Sequence, residues 1–415
     1  MKHLVAIECS GSLPISTHSQ EGVTPEEADE LAAYVRQQGL DEEGIVFTRH
    51  EVRFMNYVGF IQLSSCSVEV LPKVTGNDPA HSRRVLLRML QRSGFLDFHE
   101  SQVSQLKLER MNLMEIIGYL FTYQLTREMR KGIYRTYQSE QGELHLVRGK
   151  IDMNRQLRRE AMMQGGVSCL YDEFQINHPL NQVFMAALLL VISRCKYTET
   201  RKAAASCLAL LDGVTSVTTN QALMGRVHFD RTNRRFQPCF TLAKLLISQS
   251  APVPTPGSSR SSSILFKMND LFEAYVSYLA RKVCNRVTVK DRTHKLLVQA
   301  GSNRGVFQLE PDLLLENLSG QTVIVDTKWK LLHSSRARHG VQRQDFYQMY
   351  AYLTRYKDVG SVILLYPHHE GVHASGECLE SWHLEGNPNK WLKVYTIDYE
   401  NEYKAGRDLQ QLINA

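Results

Sequence analysis

The stretch Leu309-Glu310-Pro311-Asp312-Leu313-Leu314-Leu315-Glu316-Asn317-Leu318-Ser319-Gly320-Gln321-Thr322-Val323-Ile324-Val325-Asp326-Thr327-Lys328 decides how the C-terminal third of this chain folds. Leu313 to Leu315 and Thr322 to Thr327 are apolar, strand-forming runs, and Asn317-Leu318-Ser319-Gly320 between them is turn chemistry, so the segment reads as a β-hairpin. Symmetry about Ser319 sets Asp312 opposite Asp326 on the neighbouring strand, with Cβ atoms about 5 Å apart. Asp326 and Lys328 are two residues apart and therefore share one face of their strand. Two carboxylates and an ammonium are costly to hold beside Val323, Ile324 and Val325 without compensation. A hard divalent cation, Mg²⁺ or Mn²⁺, supplies it, because such ions prefer carboxylate, carbonyl and water oxygens; Asp312, Asp326 and the Thr327 backbone carbonyl are the candidate ligands. The chemistry such a cluster suits is phosphodiester hydrolysis. The metal would polarise the phosphate and help generate hydroxide, while Lys328 would orient or help deprotonate the water and stabilise charge on phosphorus. The competing reading is a surface hairpin carrying an ordinary cross-strand ion pair.

Working outward, the sequence predicts a helix over Asp345 to Tyr356 that carries Gln348 and Tyr352 on one face. Between it and the hairpin, Trp329 to Gln344 holds Lys330, Arg336, Arg338 and Arg343 and no acid, which suits a DNA backbone or a solvated loop equally well. Val362 to Tyr366 is a continuous apolar strand stopped by Pro367. On the N-terminal side, a helix is expected from Ile264 to about Val283, followed by strands at Val287 to Val289 and Val306 to Leu309. Helix, strands, helix, strand is the order of an α/β domain with a mixed central sheet.

A chain of 415 residues is expected to form two or three domains. Pro252, Pro254 and Pro256 in a Ser/Gly-rich stretch mark residues 251–263 as a linker. Residues 1–100 read as an α+β domain: a helix start at Thr24-Pro25-Glu26-Glu27, a hairpin from Val58 to Leu63 and Cys66 to Val70 around Ser64-Ser65, then a helix from His81 to Arg92. Residues 101–250 read as mainly helical, with Leu113, Ile116, Ile117, Leu120 and Phe121 at helical spacing. After Asn177-His178-Pro179 comes a helix, Leu180 to Ile192, apolar nearly all round and therefore expected to be buried. Residues 264–415 form the α/β domain.

Composition excludes several classes. The formal net charge of +6 permits a polyanionic partner without demanding one. The eight cysteines are scattered, with no zinc or redox pairing, and are expected to be reduced, as in a cytoplasmic protein. The first eight residues are too short in apolar length for a signal peptide, and the longest apolar run, Val183 to Ile192, is too short for a membrane span. No GxxxxGK[ST] loop is present, so this chain is not expected to hydrolyse nucleotide itself.

Asp312, Asp326-Thr327-Lys328 and the Gln348–Tyr352 pair resemble the PD-(D/E)XK nuclease superfamily in its RecB-like branch. More narrowly, the chain resembles the McrC family, the nuclease subunits of McrBC-type modification-dependent restriction systems. Matching stretches include Val58-Gly59-Phe60-Ile61-Gln62-Leu63 with Val70-Leu71-Pro72-Lys73, Arg148-Gly149-Lys150-Ile151, Tyr171-Asp172-Glu173-Phe174 and Asn177-His178-Pro179-Leu180-Asn181. Met268-Asn269-Asp270-Leu271-Phe272-Glu273, Val325 to Trp329 and Tyr347-Gln348-Met349-Tyr350 complete them. The resemblance implies Asp312, Asp326 and Lys328 as catalytic residues, with Glu273 on the preceding helix, Gln348 and Tyr352 in support. It also implies double-stranded, modified DNA as substrate and a McrB-like AAA+ GTPase hexamer as the partner that the N-terminal part docks into and stimulates. Arg148, Lys150, Arg231, Arg234 and Arg235 are places to look for the stimulating contact. The alternative is a non-catalytic adaptor that stimulates an AAA+ partner and positions it on DNA; a stand-alone nucleic-acid-binding protein is a third reading.

Overall fold

The computed structural model describes residues 2–17, 21–40, 44–104, 106–161, 166–217, 221–248, 262–317, 319–372 and 375–415. The chain divides into two compact units. One comprises Met1–Asp97, Lys107–Arg110 and Val253–Ala415, the other Phe98–Leu106 and Met111–Pro252. In this division most of residues 1–100, read as one domain from the sequence, fall in the same unit as residues 264–415, read as another.

The physical reason is a strand. Ile264–Lys267, expected as the start of a helix, instead belongs to a strand, Ser262–Lys267, that pairs antiparallel with Tyr57–Gln62, and the helix begins only at Met268 and runs to Val283. The expected linker lies largely outside the described residues, and its last two positions, Ser262 and Ser263, open this strand. Gly59 makes the pairing feasible. Its φ of +143° favours glycine, and a Cβ there would collide with the Ile264 carbonyl oxygen. The sheet so completed runs in the order Lys2–Ile7, Cys66–Leu71, Tyr57–Gln62, Ser262–Lys267, with the first pair parallel.

Other N-terminal expectations hold. Thr24 caps the helix Pro25–Gln37 in a capping box with Glu27, and Asp78 caps the helix Pro79–Arg92. The helix Pro25–Gln37 and the strands beside it bury Leu31, Val35, Phe54, Ile61, Val68 and Val70 in one apolar cluster. A buried ion pair stands beside it: the Arg83 guanidinium donates from Nε and Nη2 to Glu69 and from Nη1 to the Leu108 carbonyl at 2.7 Å. Burial pushes the Glu69 carboxyl up, but hydrogen bonds and charge from His3 and Arg83 outweigh it and hold the group below the usual carboxylate range.

The same unit contains a six-stranded mixed sheet in the order Arg286–Val289, Leu313–Glu316, Thr322–Thr327, Val359–Pro367, Asn387–Ile397, Cys378–Leu384. The expected hairpin forms with the expected register, Leu313 opposite Val325 and Leu315 opposite Val323. Val359–Pro367 adds parallel to Thr322–Thr327 and is buried over most of its length. The helix Arg343–Arg355 packs Met349, Tyr352 and Leu353 against Ile324, Val362 and Leu364.

The second unit contains the helices Leu113–Arg130, Pro179–Arg194, Thr198–Ala209 and Gln237–Ser248. The apolar helix is not buried all round: Leu189 is 44% exposed. Nor is the region wholly helical. Thr136–Leu144 and Val167–Gln175 form a nine-residue antiparallel pair joined by Lys150–Ile151. Thr136–Leu144 is almost wholly polar and lies on no core, so no apolar alternation announces it. Among the basic candidates, Arg148 stacks over Tyr171 and meets Glu173 at 3.3 Å, and Arg235 stacks over Phe236.

Candidate active site

The hairpin brings Asp312, Asp326 and Lys328 together. Asp312 immediately precedes the strand Leu313–Glu316, and its Oδ2 accepts hydrogen bonds from the Thr327 backbone N–H at 2.8 Å and hydroxyl at 2.7 Å. Asp326 is fully buried in mid-sheet. Lys328 Nζ lies 2.7 Å from Asp326 Oδ2, so the ammonium is the counter-charge of this buried carboxylate.

The helix Arg343–Arg355 closes the cluster from one side. Gln348 accepts from Lys328 Nζ at 3.0 Å and donates from Nε2 to Tyr352 Oη at 2.8 Å, with a longer contact of 3.4 Å to Asp326 Oδ1. The Tyr352 hydroxyl donates in turn to the Glu310 carbonyl at 3.1 Å, tying the helix to the turn that presents Asp312. The four-residue spacing of Gln348 and Tyr352 is what places both groups on the sheet-facing side.

Charge explains the local acid–base behaviour. Burial first, then the charge of Asp312, pushes the Asp326 carboxyl up to about 7, although Lys328 pulls it down. Burial disfavours the Lys328 ammonium, but Asp326, Asp312 and Asp345 outweigh it and hold the lysine above its ordinary pKa. Glu273, on the helix Met268–Val283, is raised by burial and by Asp312, and it pairs with Lys290 at 3.3 Å.

Two participants escape sequence reasoning. Lys290, with a left-handed φ of 52°, donates its backbone N–H to the Asp312 carbonyl and holds Glu273. Asp345, buried in the first turn of the Gln348 helix, meets Tyr366 Oη at 3.3 Å and Lys330 Nζ at 3.7 Å, and its charge acts on both Asp326 and Lys328. Its spacing of three from Gln348 was the available signal. Of the four basic loop residues, Lys330 is therefore engaged with Asp345 and with Gln342 at 2.7 Å, whereas Arg336, Arg338 and Arg343 are exposed.

Trp329, directly after Lys328, is clamped. Its ring N–H points between both oxygens of the fully buried Glu8, at 2.7 and 2.8 Å, and its backbone N–H donates to Asn269 at 3.3 Å. Phe272 and Tyr399 meet the indole edge-on.

Among the described residues no three His, Cys, Asp or Glu side chains converge tightly enough to hold a metal by themselves. Glu273 is drawn to Lys290, which leaves Asp312 and Asp326 as the convergent carboxylates. A cavity of about 760 Å³ lined by Arg286, Asp291, His294, Arg355 and Lys357 contains none of the site acids.

Comparison with known proteins places the sequence. Residues 52–367 match the family described as McrBC 5-methylcytosine restriction system component. The chain belongs to that family. It is 21% identical over 285 residues to the type IV methyl-directed restriction enzyme EcoKMcrBC of Escherichia coli K12, covering 64% of this chain and 81% of that protein. In fold, this McrBC-family chain resembles a chain of the Thermococcus gammatolerans assembly of McrB AAA+ hexamers with bound McrC, with a TM-score of 0.77, 19% identity and 99% of each chain covered. A second structure, the cryo-EM McrBC complex of the same organism, matches with a TM-score of 0.56 and 23% identity over 68% of this chain and 87% of that one. No helix among the described residues is long and apolar enough to cross a membrane.

Proposed function

We propose that this chain is the metal-dependent DNA endonuclease subunit of a McrBC-like restriction complex, with a PD-(D/E)XK site formed by Asp312, Asp326 and Lys328. The observation that carries the reading is the convergence of those three side chains on one hairpin, bridged by Gln348. The relatives' assembly with McrB hexamers supports a McrB-like AAA+ GTPase partner, which the chain stimulates and which activates it on modified double-stranded DNA in the cytoplasm.

Asp312, Asp326 and the Thr327 carbonyl would hold Mg²⁺ or Mn²⁺. The fit rests on chemistry: all are hard oxygen donors, and the charge of Asp312 acts on the fully buried Asp326, two carboxylates with the one Lys328 ammonium beside them. When bound, the ion supplies Lewis-acid charge and lowers the pKa of a coordinated water. The protein's own groups do the remainder. Asp312 is fixed by Thr327. Gln348 steers the Lys328 ammonium, which as a cation orients the attacking water and stabilises charge developing on the phosphate. The exposed Arg336, Arg338 and Arg343 would meet DNA phosphates, with Lys330 in the same loop tied back to Asp345.

The test is Asp326→Ala in the complete complex with its GTPase partner. DNA cleavage should be lost while assembly and GTPase stimulation persist; cutting at the wild-type rate would overturn the assignment. The engagement of Glu273 by Lys290 favours one other reading, an adaptor that stimulates its partner without cutting. That reading predicts GTPase stimulation with no cleavage under any metal.

A further inference from the structure

Between the strand Arg286–Val289 and Asp312 the chain makes a second hairpin, of which the sequence announced only the second strand, Lys295–Val298 paired with Gly305–Gln308. It belongs to neither of the larger sheets. Its apolar side chains face water: Leu297 is 54% exposed, Val298 59% and Phe307 69%. Exposed apolar residues clustered on a two-stranded hairpin mark a contact surface more than a fold requirement. Phe307 also sits at a φ of +57°, a conformation unfavourable for a bulky side chain.

Charge says what the surface meets. Residues 286–308 carry Arg286, Lys290, Arg292, Lys295 and Arg304 against a single acid, Asp291. That acid is spent on Thr293 and Tyr356. Arg292 is paired with Glu310 and Lys290 with Glu273, but Lys295 and Arg304, on the hairpin itself, have no acidic partner among the described residues. The tip, Gln299 to Asn303, is exposed and polar.

The base is held firmly. Gln308 Nε2 donates to the Arg292 and His294 carbonyls at 2.8 and 2.7 Å, His294 packs edge-on against Tyr356, and Arg355 Nε donates to the Lys295 carbonyl at 3.0 Å. Arg355 ends the very helix that carries Gln348 and Tyr352. Phe307 is five positions before Asp312, so its backbone lies within ~18 Å of the site, about five base steps of a duplex.

We propose that this hairpin is a DNA wedge: Val298 and Phe307, on one face of the hairpin, enter the duplex beside the candidate site at Asp312 and Asp326, and Lys295 and Arg304 take flanking phosphates. Apolar wedges flanked by cations are a physical solution to gripping and unstacking a duplex. The proposal rests on the reading of the chain as a DNA-cutting subunit, but it can be tested without cleavage.

The complete complex with the GTPase partner is assembled on a 2-aminopurine-labelled duplex in three forms: wild type, Val298→Ser with Phe307→Ser, and Lys295→Gln with Arg304→Gln. All substitutions are at exposed positions, and retained GTPase stimulation checks folding and assembly. Expected are a roughly tenfold weaker affinity and loss of the 2-aminopurine signal for the serine variant. For the glutamine variant, the slope of log affinity against log salt should fall by about 2, near 0.9 per phosphate contact. Unchanged affinity, signal and slope would overturn the proposal. Loss of GTPase stimulation or a changed assembly mass with DNA binding intact would overturn it too, assigning the hairpin to the partner or to a second copy. If Asp326→Ala failed to stop cutting while the hairpin variants still lost DNA, the catalytic assignment would fall and the wedge would stand.

Discussion

Replacing Glu8 by glutamine should make the protein's stability less dependent on pH, and the size of the effect follows from one buried carboxyl. Glu8 is fully buried and has the single indole N–H of Trp329 between its two oxygens. Burial, only partly offset by that hydrogen bond and one from Cys9, pushes its pKa up from 4.5 to about 8. A carboxyl raised in the folded state binds more protons folded than unfolded between those values, so it favours folding fully below pH 4.5 and that contribution is lost as pH rises through 8. A displacement of that size corresponds to on the order of 5 kcal/mol across the window. Glutamine keeps an acceptor for Trp329 and has no charge to bury. Its extra N–H₂ leaves donors to satisfy, at a cost of about 1–3 kcal/mol that does not vary with pH. Glu8→Gln should therefore be less stable than wild type at pH 5 and more stable at pH 8.5. Urea unfolding followed by tryptophan fluorescence reads the correct unit, because Trp329, Trp382 and Trp391 all lie within it. Parallel stability curves for the two proteins from pH 5 to 8.5 would refute the reasoning.

Two further outcomes follow from contacts already described. Tyr352→Phe removes the hydroxyl joining Gln348 to the Glu310 carbonyl and should slow DNA cleavage about tenfold, ~1.4 kcal/mol in barrier, with little change in DNA affinity; an equal loss of affinity measured by anisotropy would contradict a positioning role. Arg83→Ala strands Glu69 in the core and should cost about 3–5 kcal/mol in chemical denaturation, whereas pairing Arg83→Met with Glu69→Leu should recover most of it; a mild single variant would contradict the buried pair.

The hairpin of the candidate site was legible because strand periodicity and turn chemistry are local: once Ser319 is taken as the turn, the partner of Asp326 is arithmetic. The Gln348–Tyr352 pair was legible for the same reason, a helical spacing. What escaped was long-range or unpatterned. Ser262–Lys267 starts with serines and continues into apolar residues that also suit a helix, and only the complementary edge of Tyr57–Gln62, some 200 residues earlier, decides for a strand. Glu8 looks like a surface acid until Trp329 is folded over it. The hairpin Lys295–Val298 with Gly305–Gln308 was half seen, at its second strand, because its first has no core to alternate against.

The late arrival of Ser262–Lys267 shapes how the chain is made. Tyr57–Gln62 emerges from the ribosome as an open edge and waits about 200 residues for its neighbour, roughly 10–40 s at ordinary elongation rates. Meanwhile the intervening segment Met111–Pro252 can fold as its own unit. Throughout that interval the nascent N-terminal sheet offers unpaired backbone to any passing strand, so yield during overexpression should hinge on chaperone supply and growth temperature more than on the finished protein's stability.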